Sequence, residues 1–114
     1  MRSSAVLLPN RPEYQDPSGW AIQEARRLVQ DLVRGTGVTA RLFGSRARGD
    51  ARGFSDIDIA LTAGDRAVSD SLKALLSEAF EASRIPFTVD LVDLYDAGPE
   101  LKAAVEQEGA TWTD

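Results

Sequence analysis

The sequence predicts an α/β (α+β) fold, a small mixed β-sheet flanked by helices, and three observations predict it. Two segments, 18–33 and 67–83, repeat apolar residues at helical spacing. Three shorter runs, 38–43, 56–61 and 85–94, read as strands, two of them alternating in the manner of a half-buried strand. Glycine or proline punctuates most of the junctions between these runs. At 114 residues the chain has room for one core and one domain.

Residues 1–17, with Pro9, Pro12 and Pro17 and no sustained periodicity, read as an irregular N-terminal arm, and 18–114 as the domain itself. From Ser18 onward, Ile22, Ala25, Leu28, Val29, Leu32 and Val33 share one helical face, which Gly35 and Gly37 bring to an end. Strands over 38–43 and 56–61 follow, joined by a Gly-rich loop. A second helix across 67–83 presents Val68, Leu72, Leu75, Leu76, Ala79 and Phe80. The run IPFTVDLVDL is a third strand, with Pro86 tolerable only near its start. Gly98-Pro99 then opens a short helix with Leu101, Ala104 and Val105 inward and Gly109 as its stop, and Trp112 marks a short edge strand in the tail.

The chain has no cysteine and no histidine, which rules out disulfides, Cys/His zinc sites, Cys nucleophiles and His-based triads. Any general base is a carboxylate, a Lys, a Tyr or bound water. The net charge of -5 argues against a generic duplex-binding protein. No apolar run approaches the roughly 20 residues of a membrane span, and the apolar patch at 5–8 is shorter than the core of a signal peptide, so the expected location is cytoplasmic. The charge is uneven, however. Arg41, Arg46, Arg48 and Arg52 cluster in the first half, while from Asp90 onward seven acids face one Lys. A basic loop on an acidic body suggests a small anionic ligand.

That loop sits inside FGSRARGDARGFSDIDIAL, the most informative stretch of the chain. In the strand read over 56–61, successive side chains alternate faces, so Asp56 and Asp58 share one side while Ile57, Ile59 and Leu61 share the other. The third strand repeats the logic: Ile85, Phe87, Val89 and Leu91 form an apolar face and Asp90 lies opposite, able to join the first two acids. Asp93, of opposite parity and at the strand end, reads as a cap or surface acid. Three converging carboxylates are costly unless a cation or a proton compensates them, and a hard divalent ion such as Mg²⁺ suits all-oxygen ligation. At the other end of the stretch, Gly44 lets backbone approach a ligand closely. Ser45 offers its hydroxyl and the unpaired N–H groups of a helix start to an anion. Arg46 and Arg48 add charge suited to phosphate.

The segment GSRARGDARGFSDIDIAL, followed by VDLVDL, resembles the DNA polymerase β-like nucleotidyltransferase superfamily, and within it the minimal nucleotidyltransferases (MNT) of MNT/HEPN antitoxin type. The family's pattern of Gly-Ser, ten residues, Asp-x-Asp and a third Asp on a later strand matches as Gly44-Ser45, Asp56, Asp58 and Asp90, across about 18–109. The resemblance implies a polymerase β palm-like core and a metal-dependent transfer of AMP from ATP to a hydroxyl. In that scheme Asp56, Asp58 and Asp90 are catalytic and hold two Mg²⁺ ions, and Gly44, Ser45, Arg46 and Arg48 bind the nucleotide. It further implies a HEPN-domain toxin as partner, inactivated by adenylylation of a tyrosine.

Two other readings of different class stand beside this one: a non-catalytic antitoxin that works by occlusion, and an oligomer that transfers nucleotide to a small molecule or an RNA end. The intact acids speak against the first, and the acidic C-terminal quarter makes RNA the weaker acceptor in the second. The size of the domain favours an acceptor presented by another chain.

Overall fold

The computed structural model of the chain describes residues 16–49 and 55–113. Of the expected arm over 1–17 only Asp16 and Pro17 fall among them, and the middle of the Gly-rich loop, 50–54, lies outside the described residues.

Helix α1 (Pro17–Val33) starts where sequence chemistry places a start: Asp16 accepts a hydrogen bond from the Gly19 N–H at 3.1 Å and Pro17 occupies the first turn. Its buried stripe is Ala21, Ala25, Val29 and Val33, with Ile22 and Leu32 on its flank. Strand β1 (Thr39–Phe43) leads into a four-residue helical turn, α2 (Ser45–Arg48), and then β2 (Ile57–Thr62), antiparallel to β1.

Helix α3 (Asp70–Ala82) is capped by Ser69, whose hydroxyl accepts from the Leu72 N–H at 3.2 Å. It begins later than position 67, because Ser69 is its cap. It buries Leu72 and Leu76, while Leu75, expected on the inward face, is 52% exposed. The packed row runs i to i+4 from Leu72 through Leu76, which turns Leu75 outward.

Strand β3 (Val89–Asp93) lies parallel to β2, and α3 makes the crossover that a parallel pair requires. It is shorter than the run 85–94. Pro86 has no N–H to give a ladder, and pairing starts where the Ile57 N–H donates to the Thr88 carbonyl at 2.9 Å. A 3₁₀ turn (Leu94–Asp96), α4 (Pro99–Glu108) and β4 (Ala110–Thr111) complete the chain, giving sheet order β3-β2-β1-β4. Trp112 is buried; its N–H donates to Ala40 and its carbonyl accepts from Gln30 of α1 at 2.7 Å.

Helices α1 and α3 cover one face of the sheet, over Ala40, Leu42, Ile57, Ile59 and Leu61. By parity the other face carries Arg41, Phe43 and Asp58. Gly109, which closes α4, sits against Arg41, so the end of α4 lies on this second face. Among the described residues no helix is long and apolar enough to cross a membrane.

Asp93 turns out to be a buried cap rather than a surface acid. Its side chain is 5% exposed, accepts from the Val68 N–H at 2.9 Å and the Tyr95 N–H at 3.0 Å, and lies 3.4 Å from the Lys73 ammonium. Burial alone would raise its pKa, but the two N–H donors and Lys73 outweigh it and hold the carboxyl below its ordinary value. A lowered folded-state pKa contributes stability above the unfolded pKa that is lost as pH falls through the folded one. Asp93→Ala is therefore expected to cost about 1–3 kcal/mol at neutral pH, the scale of losing hydrogen bonds to a charged acceptor. The gap from wild type narrows in acid, as thermal melts at neutral pH and below the carboxylate range will read.

Candidate active site

The second face of the sheet gathers the predicted acids at one end. Asp58 stands on β2 directly opposite Asp90 on β3, and Phe43 stands opposite Asp58 on its other side. Asp56 immediately precedes β2 and shares the parity of Asp58, although β2 itself begins at Ile57. Asp56 and Asp90 are exposed and Asp58 is partly buried. Burial first, then the charges of Asp90 and Asp56, push the Asp58 carboxyl above its ordinary pKa, and Arg46 and Arg48 pull the other way.

Gly44 links this row to α2. Its backbone, at φ 77° and ψ -157°, occupies a region open essentially to glycine alone. A Cβ built on it would collide with the Asp58 carboxylate. Gly44 thus serves two needs at once: it turns the chain from β1 into α2, and it leaves space for Asp58. The turn's own bonds begin with the Ala47 and Arg48 N–H groups, both donating to the Gly44 carbonyl at 3.1 Å. The N–H groups of Ser45 and Arg46 therefore have no acceptor within the turn, the usual state of a helix start.

The two arginines do more local work than expected. Arg46 donates through Nε and Nη2 to the Ser55 carbonyl, at 3.1 and 2.7 Å, and its guanidinium lies 4.4 Å from the centroid of the Phe87 ring. Arg48 pairs with Glu108 at the end of α4, 3.1 Å away and half exposed. Neither contact was legible from spacing alone.

Among the described residues no three acids are already gathered tightly enough to hold a metal ion unaided. The donor set nonetheless suits a hard cation. All three groups are carboxylates, burial and then the charges of Asp90 and Asp56 raise the pKa of Asp58, and magnesium characteristically takes only one or two carboxylates and completes its shell with water and substrate phosphate. A separate cleft of about 500 Å³, lined by Arg26, Gln30, Arg34, Val38, Thr39 and Trp112 among others, opens at the far end of β1 from Gly44 and contains none of these groups.

With this geometry in place, comparison with known proteins becomes specific. The sequence profile of the family described as "Polymerase beta, Nucleotidyltransferase" matches residues 37–112, which takes in the whole sheet with Asp56, Asp58 and Asp90. The chain belongs to this nucleotidyltransferase family. It is 37% identical over 68 residues to the probable protein adenylyltransferase MntA of Haemophilus influenzae, covering 60% of this chain and 57% of that protein. The chain thus spans little more than half the length of that relative. A solved toxin–antitoxin structure with AMP-PNP has a chain 30% identical with a TM-score of 0.61, over 76% of this chain and 71% of that one. A complex of tri-AMPylated Shewanella oneidensis HEPN toxin with MNT antitoxin has a chain 26% identical with a TM-score of 0.57, over 82% and 70%. The mixed sheet flanked by helices is therefore the fold of this family.

Proposed function

We propose that the protein transfers AMP from ATP to a tyrosine hydroxyl of a partner HEPN-domain toxin and so acts as its antitoxin. The observation that carries this reading is the meeting of Asp58, in register with Asp90, with a glycine-led helix start packed directly on its carboxylate. The named relatives, an adenylyltransferase and toxin–antitoxin complexes that include an AMPylated HEPN toxin, support the choice of acceptor.

Each residue has a role in this scheme. Asp56, Asp58 and Asp90 are the groups that would hold magnesium, which when bound supplies Lewis-acid charge at the triphosphate and the acceptor oxygen. The Ser45 hydroxyl and the N–H groups of Ser45 and Arg46 hold phosphate oxygens at the start of α2. The positive field of Arg46 and Arg48, already felt at Asp58, favours the same anion. The acceptor oxygen bonds to the α-phosphorus as the bond to the bridging oxygen breaks, and pyrophosphate departs. Asp90, exposed at the edge of the acid row, takes the hydroxyl proton, since the chain has no histidine to do so. Use of ATP is in keeping with a cytoplasmic protein.

The test is intact-mass spectrometry of the partner toxin after incubation with this protein, ATP and magnesium. The expected result is one or more AMP-sized increments that vanish when the toxin's acceptor tyrosine is changed to Phe or when EDTA is added. An unmodified toxin that is neutralised all the same would replace the enzyme by a protein that works through occlusion.

A further inference from the structure

Arg46 lies directly after Ser45 on a turn of four residues, yet its guanidinium reaches out of that turn. Two of its three nitrogens donate to one carbonyl, that of Ser55, and the central carbon of the group lies over the Phe87 ring, 4.4 Å from its centroid. Ser55 immediately precedes Asp56, and Phe87 stands three residues ahead of Asp90. One side chain therefore touches each of the two segments that deliver acids and belongs to the turn that delivers Ser45. The contacts also use features peculiar to a guanidinium. A planar fork can place two N–H groups on one oxygen while its face lies on an aromatic ring, whereas an ammonium is a point charge with no plane.

We propose that the Arg46 side chain is a positioning group, which clamps the Ser45 turn to the strand entrance carrying Asp56 and to the segment leading to Asp90, and that its guanidinium does not itself grip the triphosphate. The proposal rests on the nucleotidyl-transfer reading above for its kinetic consequence, but its structural consequence stands without it. Losing the clamp loosens the relative placement of the phosphate grip and the acids, which are the parts that have to meet around one phosphorus.

The experiment compares wild type with Arg46→Met, Arg46→Lys, Phe87→Leu and the double variant Arg46→Met/Phe87→Leu. ATP is titrated in the transfer assay, and amide hydrogen exchange is measured on the same proteins without nucleotide. Arg46→Met is expected to lower kcat by about ten- to a hundredfold with KM for ATP within about twofold, the signature of misplacement rather than lost binding. Arg46→Lys rescues little, because charge without the fork does not rebuild the clamp. Phe87→Leu lowers kcat in the same way, and the double variant falls little below Arg46→Met, since both changes break one device. Exchange quickens at 55–57 and 88–90 and stays unchanged in α1 and α3. A raised KM for ATP at unchanged kcat, restored by Lys and indifferent to Phe87, would overturn the proposal and make Arg46 a phosphate ligand. A wild type that transfers nothing would instead sink the adenylyltransferase reading, and the exchange pattern then decides the clamp alone.

Discussion

Asp58→Asn is expected to reduce AMP transfer by about a thousandfold or more, the rate equivalent of roughly 4 kcal/mol, while melting at or above the wild-type temperature. The two halves of this expectation have one cause. Asp58 is the acid most enclosed by the others, and burial together with the charges of Asp90 and Asp56 raises its pKa in the folded chain. A folded state that holds a proton more tightly than the unfolded state loses relative stability as pH rises through the carboxylate range. At neutral pH and without metal the charged Asp58 therefore costs stability, and Asn removes that cost. The advantage of the variant should disappear in acid, where wild type carries the proton itself. Added magnesium and ATP should raise the melting temperature of wild type and leave the variant nearly unmoved, by ordinary linkage of binding to folding. A variant that loses activity because it no longer folds would contradict this account, since it would melt lower at every pH. A variant that still modifies the toxin at the wild-type rate would contradict it from the other side.

Gly44→Ala is the second large effect, and here function and stability should fall together. Alanine there is strained twice over: the backbone region is closed to L side chains, and a Cβ would enter the space of the Asp58 carboxylate. Residues forced into such backbone regions cost of order 1–3 kcal/mol each. Relief requires either a changed path from β1 into α2 or a displaced Asp58, and both separate the Ser45 turn from the acids. Transfer should drop about a hundredfold or more, consistent with misplacement of a reacting group by an ångström. Combining Gly44→Ala with Asp58→Ala tests the collision directly. The double variant should lose less stability than the sum of the two single changes, because neighbours that clash are not additive. Strict additivity would show that the backbone alone is the source.

The parts of the site that follow from local rules were legible in the sequence. Alternation along DIDIAL placed Asp58 away from Ile57, Ile59 and Leu61, and the same alternation in TVDLVD put Asp90 on the matching face. Once β2 and β3 pair in parallel, the two acids fall opposite each other. The need for a glycine at position 44 was also legible, as freedom of approach, but the group it makes room for was not. That identity depends on the β1–β2 register, which sets Phe43 against Asp58. Contacts set by tertiary packing escaped entirely. Glu108 meets Arg48 from 60 positions away, Asp93 accepts from Val68 across 25, and Phe87 lies beneath Arg46 only because the lead-in to β3 passes the α2 turn. Leu75 shows the same limit in a helix, where both Leu75 and Leu76 fit an apolar stripe and only the packed sheet chooses between them.

The most direct test of the central claim, that the acid row and the Gly44-Ser45 turn together take a metal-bound nucleotide, is to map that nucleotide in solution. Manganese in place of magnesium, added with a non-hydrolysable ATP analogue to isotopically labelled protein, broadens amide signals near the ion. The account predicts that broadening centres on residues 44–46, 56–58 and 90, and that Asp58→Asn removes it. Broadening centred instead on the cleft at the far end of β1, around Arg26, Arg34 and Thr39, would contradict it.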